Sequence, residues 1–214
     1  MVIDIWSDMV CPFCYIGKRR LEKALSLFEG ADEVSLRFRS FQLDPGGESY
    51  EGRDLHAVLA EKYDLSYDQS RRMNLSLARQ AKDDGLDYYM DSAIPARTLD
   101  AHRLCHWAAE QGRQDNMEER IMKAYFTDSL NIADRAVLAR LAAEIGLDEQ
   151  AALDVLSSSR YIDEVRQDQE EAAALGIQGV PHVIIDGRWQ VSGAQPAEVF
   201  LQALRKAKAG NGRA

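Results

Sequence analysis

The chain has 214 residues, 46% of them apolar, and a formal net charge of −9. That is enough apolar content to bury a core without staples, and the charge sign repels phosphate backbones and argues against a nucleic-acid partner. Three cysteines cannot build a disulfide framework, the first residues lack the layout of a secretory signal, and no stretch approaches the roughly 18 apolar residues of a membrane-spanning helix, so a soluble, cytoplasmic protein with no membrane partner is predicted.

Val2 to Trp6 is a short apolar run whose only charge is Asp4, which predicts a buried strand. Beyond cysteines 11 and 14, Ile16, Leu21, Ala24, Leu25 and Phe28 recur at helical spacing, which assigns Lys18, Arg19 and Arg20 to the wet face and makes Gly30 the stop. Val34, Leu36 and Phe38 alternate with polar residues as a second strand does, ended by Asp44-Pro45-Gly46-Gly47. From about residue 52 to 157 the period is helical, with Ser66 and Gln69 as a capping box and Gly85, Gly112 and Gly146 as helix stops. Another helix is expected to run to Gly176. HVIIDGRWQV then reads as two strands joined at Asp186-Gly187, and a last helix begins at Pro196. The fold class is therefore α/β, a four-stranded mixed sheet with helices on both faces. Residues 1–45 and 158–208 form one discontinuous domain, 46–157 an all-helical insertion, and 209–214 a flexible tail.

The sequence Cys-Pro-Phe-Cys at 11–14 stands where the first strand gives way to the first helix. Free backbone N–H groups and the positive end of the helix dipole there favour a thiolate on Cys11. Pro12 costs no hydrogen bond at a first helical position, and the two-residue spacer leaves Cys14 one turn away, within bonding distance. The pair reads as an exposed nucleophile, Cys11, and a shielded resolving thiol, Cys14; thiols in such settings fall from about 8.5 to roughly 3.5–7.5. Zinc would need a second pair, and the remaining Cys105 belongs to the apolar stripe Ala101, Leu104, Cys105, Ala108. His102 and His106 are read as polar-face or interface residues rather than metal ligands. A carboxylate beneath the pair would move the proton of Cys14; Asp4 is the candidate, and Asp8 is expected to be a solvated turn residue. No metal and no organic cofactor is implied.

The stretches SDMVCPFCYIGKRRLEKAL, TLDAHRL and GVPHVIIDGRWQVSGAQ resemble the FrnE-type branch of the DsbA family of thiol–disulfide oxidoreductases, over essentially the whole chain. The resemblance implies a thioredoxin-like fold with a large helical insertion, catalysis by Cys11 and Cys14, and substrate contacts at Pro12, Phe13, Val180 and Pro181. It also implies a cis peptide at Val180-Pro181 facing the cysteines, with the Val180 backbone pairing to a bound peptide as an added strand would; residue statistics alone make that bond trans. The partners implied are disulfide- or thiol-containing proteins or small molecules, glutathione among them. Phe13 replaces the tryptophan expected in this branch, and Arg97 replaces the asparagine that precedes the threonine of TLDAHRL. The glutathione-using relatives, chromene-carboxylate isomerases and kappa-class glutathione transferases, usually lack paired cysteines and carry Gly-x-Asp-Arg after the hairpin, where this chain has Gly193-Ala194-Gln195-Pro196. A thiol–disulfide oxidoreductase is thus expected, with a glutathione-dependent isomerase or transferase and a non-catalytic peptide-binding or chaperone module as the rivals.

Overall fold

The computed structural model describes residues 1–46, 50 and 52–211; Gly47 and residues 212–214, named above in a turn and a tail, lie outside them. Strand β1 (Val2–Ser7) is apolar on both faces and takes an inner position, paired in parallel with β2 (Ser35–Ser40) and antiparallel with β3 (His182–Ile185). β3 pairs antiparallel with β4 (Trp189–Ser192), which gives the order β2-β1-β3-β4. Asp186 and Gly187 have φ of 49° and 66°, the two left-handed residues a type I′ turn requires. The Arg188 N–H closes that turn on the Ile185 carbonyl at 3.1 Å, and strand pairing resumes at Trp189.

Helices α1 (Pro12–Ser26) and α9 (Ala197–Asn211) cover one face of the sheet. Leu21, Ala24 and Phe28 pack there with Phe200 and Leu204 against Ile3, Ile5, Val183 and Ile185. On the other face Trp6 and Ile184 meet Ala172 of α8 (Ile162–Ala174), and the Trp6 indole donates to the Asp168 carbonyl at 3.1 Å. Two boundaries differ from expectation. α1 ends at Ser26, so Gly30, with φ of 109°, belongs to the following turn; and residues 209–211, expected in the tail, continue α9.

The insertion holds α2 (Leu55–Lys62), α3 (Tyr67–Asp83), α4 (Leu99–Ala109), α5 (Gln114–Phe126), α6 (Arg135–Glu144) and α7 (Glu149–Ser157). Ser66 and Gln69 form the reciprocal capping box at the start of α3, and Gly85, at φ 77°, lies just past its end. Leu104, Ile121, Met122, Phe126, Leu138 and Leu156 are among the side chains of its core, which is continuous with Met9, Cys11 and Cys14. That continuity overturns the wet face assigned to α1. Lys18 is buried and reaches Asp115 at 3.0 Å and Glu119 at 3.2 Å; Arg19 pairs with Glu119, and Arg20 with Asp84 at 2.9 Å. The insertion lays α5 and the end of α3 along the polar side of α1, so the charges there are partners between helices. Among the described residues no helix is long and apolar enough to cross a membrane.

Candidate active site

Cys11 is the N-cap of α1, in extended conformation, and Pro12 is the first helical residue; no side chain caps this end. Pro12 brings no N–H to the first turn, so the Phe13 amide is the first-turn donor that no side chain caps beside the Cys11 sulfur. The turn that delivers it is closed by the Cys11 N–H donating to the Asp8 carbonyl at 3.1 Å, and the Cys14 N–H donates to the Cys11 carbonyl at 3.0 Å. Both thiols are free, and the two residues approach to 3.1 Å.

From across the sheet, the Val180 carbonyl accepts from the Cys11 thiol at 3.6 Å, and the Val180-Pro181 peptide is cis. α1 lies close enough to this loop that a Cβ on Gly17 would stand 2.9 Å from Pro181 Cγ, a spacing only glycine permits. Arg20 donates to the Ala194 carbonyl at 2.6 Å, tying the same helix to the segment after β4. The insertion holds the motif as well: the Tyr88 hydroxyl donates to the Pro12 carbonyl at 2.8 Å, with the Tyr88 ring stacked 4.3 Å from that of Phe126.

The motif is less open than its sequence position suggests. Cys14 is buried, and Cys11, expected to be exposed, retains only 4% of its surface, whereas Phe13 beside it is exposed. The cause is the insertion, whose α2 and α3 wall a cleft of 360 Å³ over Cys11, Pro12, Phe13 and Val180. Burial pushes the Cys14 thiol well above its ordinary value, with Cys11 adding to the rise, opposed by the Asp8 backbone.

Asp4 shares a sheet face with Trp6, away from α1, and its two oxygens accept from Arg37 at 2.7 Å and Arg39 at 3.0 Å. The carboxylate beside the cysteines is instead Asp8, which is 1% exposed rather than solvated. One Asp8 oxygen accepts from the Leu43 N–H at 2.8 Å. The other stands 3.3 Å from His102 Nε2, at pairing distance but outside hydrogen-bond geometry. His102 is buried too, and His106 is enclosed by Ser40 at 3.0 Å and Asp168 at 3.2 Å, so neither histidine sits on a polar face. Hydrogen bonds from His106 and Ser40 and the charge of Arg39 outweigh burial and hold the Asp168 carboxyl below its usual range. Cys105 is buried, facing Glu118 of α5. Among the described residues no group of three His, Cys, Asp or Glu side chains is arranged to hold a metal ion.

Sequence reading misses Tyr88, the Asp8–His102 pair and the cleft. The stretch TLDAHRL contains His102, but no local rule joins position 102 to position 8.

Residues 2–205 match the family model of the DsbA-like thioredoxin domain. A probable DsbA oxidoreductase from Streptomyces coelicolor superposes with a TM-score of 0.91 at 41% identity, over 98% of this chain and 90% of that one. A 2-hydroxychromene-2-carboxylate isomerase has the same fold at 17% identity and a TM-score of 0.73, over 99% and 98% of the two chains. So does the cytosolic disulfide reductase DsbM from Pseudomonas aeruginosa, solved with glutathione, at 19% identity and 0.64, again over 99% and 98%. With its cysteine pair at the head of α1, its four-stranded sheet and its helical insertion, the chain belongs to the DsbA-like thioredoxin family.

Proposed function

We propose that the protein is a thiol–disulfide oxidoreductase of the FrnE-type branch, with Cys11 as nucleophile and Cys14 as resolving thiol. The observation that carries the reading is the placement of two free cysteines, one helical turn apart, at a helix N-terminus that no side chain caps. The Cys11 thiolate attacks a substrate disulfide to form a mixed disulfide and expel one thiolate; Cys14 then attacks Cys11, closing the internal disulfide and expelling the second. Pro12 and Phe13 border the approach, and the Val180 backbone beside Pro181 holds the bound chain or arm. A cytoplasmic setting belongs to the same reading, supported by the three free cysteines and by the cytosolic disulfide reductase of like fold. The glutathione-dependent isomerase reading draws on the isomerase of like fold, and it differs in that the ligand would bring the nucleophile.

Substitution separates the two. Cys11→Ser should lose both disulfide turnover and substrate capture. Cys14→Ala should lose turnover yet accumulate adducts that dithiothreitol releases, read by mass spectrometry. Adducts collecting on Cys11→Ser through Cys14, or glutathione-dependent isomerisation that survives loss of Cys11, would put the isomerase reading ahead.

A further inference from the structure

The route to Cys11 restricts what can reach it. With 4% of its surface free, the sulfur is met through the 360 Å³ cleft, a size within the roughly 300–1,000 Å³ of small-molecule sites. The walls are apolar: Leu55, Val58, Leu59, Met73, Leu77 and Met90 face the cysteine across it. Among the described residues its charged groups are two carboxylates, Asp8 and Asp44, and one ammonium, Lys62. Lys62 is already engaged by the Leu43 carbonyl at 3.3 Å, and Asp44 accepts from the Tyr50 hydroxyl. Among the described residues the two carboxylates outnumber the one ammonium, so a substrate carboxylate entering this space meets a net like charge.

Resting on the oxidoreductase reading, we infer that the substrate is a low-molecular-weight disulfide carrying an uncharged apolar arm, which the cleft takes up so that its sulfur meets Cys11. A cleft walled by α2 and α3 disfavours a disulfide on a folded protein surface, and oxidised glutathione, with four carboxylates against two ammonium groups, brings net negative charge to a cleft whose described charges are two carboxylates and one ammonium. The step balances as R–S–S–R plus the Cys11/Cys14 dithiol giving two R–SH and the Cys11–Cys14 disulfide. Two electrons pass from protein to substrate, and the two thiol protons end on the products.

The test is single-turnover oxidation of the reduced full-length protein, with no other reductant, followed by loss of protein thiol. The probes are dibenzyl disulfide, bis(2-hydroxyethyl) disulfide, oxidised glutathione and insulin, each rate constant divided by that of the same disulfide with free dithiothreitol. Dibenzyl disulfide should exceed bis(2-hydroxyethyl) disulfide by roughly tenfold or more, the discrimination an apolar pocket supplies, and should exceed glutathione and insulin further. Leu77→Trp, which fills the cleft, should bring the ratio of the first two probes to near one, and Met73→Trp at the half-open rim should do so if the first variant folds poorly. Insulin or oxidised glutathione reacting faster than dibenzyl disulfide, or a ratio unchanged in both variants, overturns the inference and leaves the oxidoreductase reading standing. Failure of every probe to oxidise the pair faster than a free thiol overturns both.

Discussion

Cys11, Cys14 and Cys105 are equally hidden, at 4%, 3% and 2% exposure, and each has a buried carboxylate for a neighbour, yet the two neighbourhoods are built differently. At the head of α1 the helix amide groups are uncapped, a cleft reaches Cys11, and the Asp8 carboxylate has both the Leu43 N–H and the imidazole of His102 beside it. Cys105 lies within α4, where the backbone amides are consumed by the helix itself. Its neighbour Glu118 has one oxygen, Oε2, without a hydrogen-bond partner, and Lys18, the cation that acts on it, is already held by Glu22, Asp115 and Glu119. Burial pushes the Glu118 carboxyl up to about 8, only partly opposed by its hydrogen bond with Cys105 and the charge of Lys18, and pushes the Cys105 thiol well up. Burial is common to both places. What distinguishes a reactive sulfur from an inert one here is a place at a helix N-terminus that no side chain caps and a path for substrate.

The largest stability effect should come from removing the imidazole beside Asp8. His102→Ala leaves the Asp8 carboxylate buried with the Leu43 amide as its donor and no imidazole beside it, and a buried polar group left short of partners costs about 1–3 kcal/mol. Urea denaturation at pH 7 reads this, and the double variant with Asp8→Asn should recover part of the loss, because it removes the orphaned charge. A cost below about 1 kcal/mol, with no coupling in the double-mutant cycle, would show that the two groups are merely adjacent.

A smaller effect, distinguished by its pH dependence, is expected at Glu118. Its carboxyl ionises near 8 in the fold against about 4.3 unfolded, so between those values the folded state binds more protons than the unfolded one. Its contribution to stability is fully present below about pH 4.3, falls as pH rises through the window, and is lost above about 8. Glu118→Gln keeps the neutral shape and removes the titration. The variant should match the parent near pH 4 and exceed it by roughly 1 kcal/mol or more at pH 8, since a tenfold difference in proton affinity between the folded and unfolded states corresponds to about 1.4 kcal/mol. Parallel stability curves across that range would mean that Glu118 is paired as an anion after all.

The contrast between these places also marks what is legible in the sequence. The strand-to-helix junction, the turn at Asp186-Gly187 and the capping box at Ser66 rest on neighbours a few residues apart, and each is where the pattern puts it. Lys18, Asp8 and His102 read as wet because their own elements offer a polar side, and what buries them comes from the other half of the chain. α5 carries acids to Lys18, and α4 carries His102 to Asp8. The placement of Asp4 is within reach of the sequence: residues two apart in a strand share a face, so Asp4 goes with Trp6 toward α8, while α1 covers Ile3 and Ile5. The cleft is not, since its walls come from α2 and α3 while its floor is the cysteine motif, and no periodicity records that meeting.

The smallest effect, and the one that most sharpens the contrast, is expected from Cys105→Ala. Cys105 packs among Leu104, Ile121 and Met122 in the shared core and takes no part in the α1 terminus. Losing its sulfur leaves a void of about one methyl group, a cost of about 1 kcal/mol. Single-turnover oxidation of the Cys11/Cys14 pair should proceed at the parental rate. The substitution also removes the hydrogen bond that pulls the Glu118 carboxyl down, so Glu118 should ionise at a still higher pH. If a folded Cys105→Ala protein instead loses most of its disulfide turnover, Cys105 is a third redox position, and equal burial would have concealed an equal chemistry.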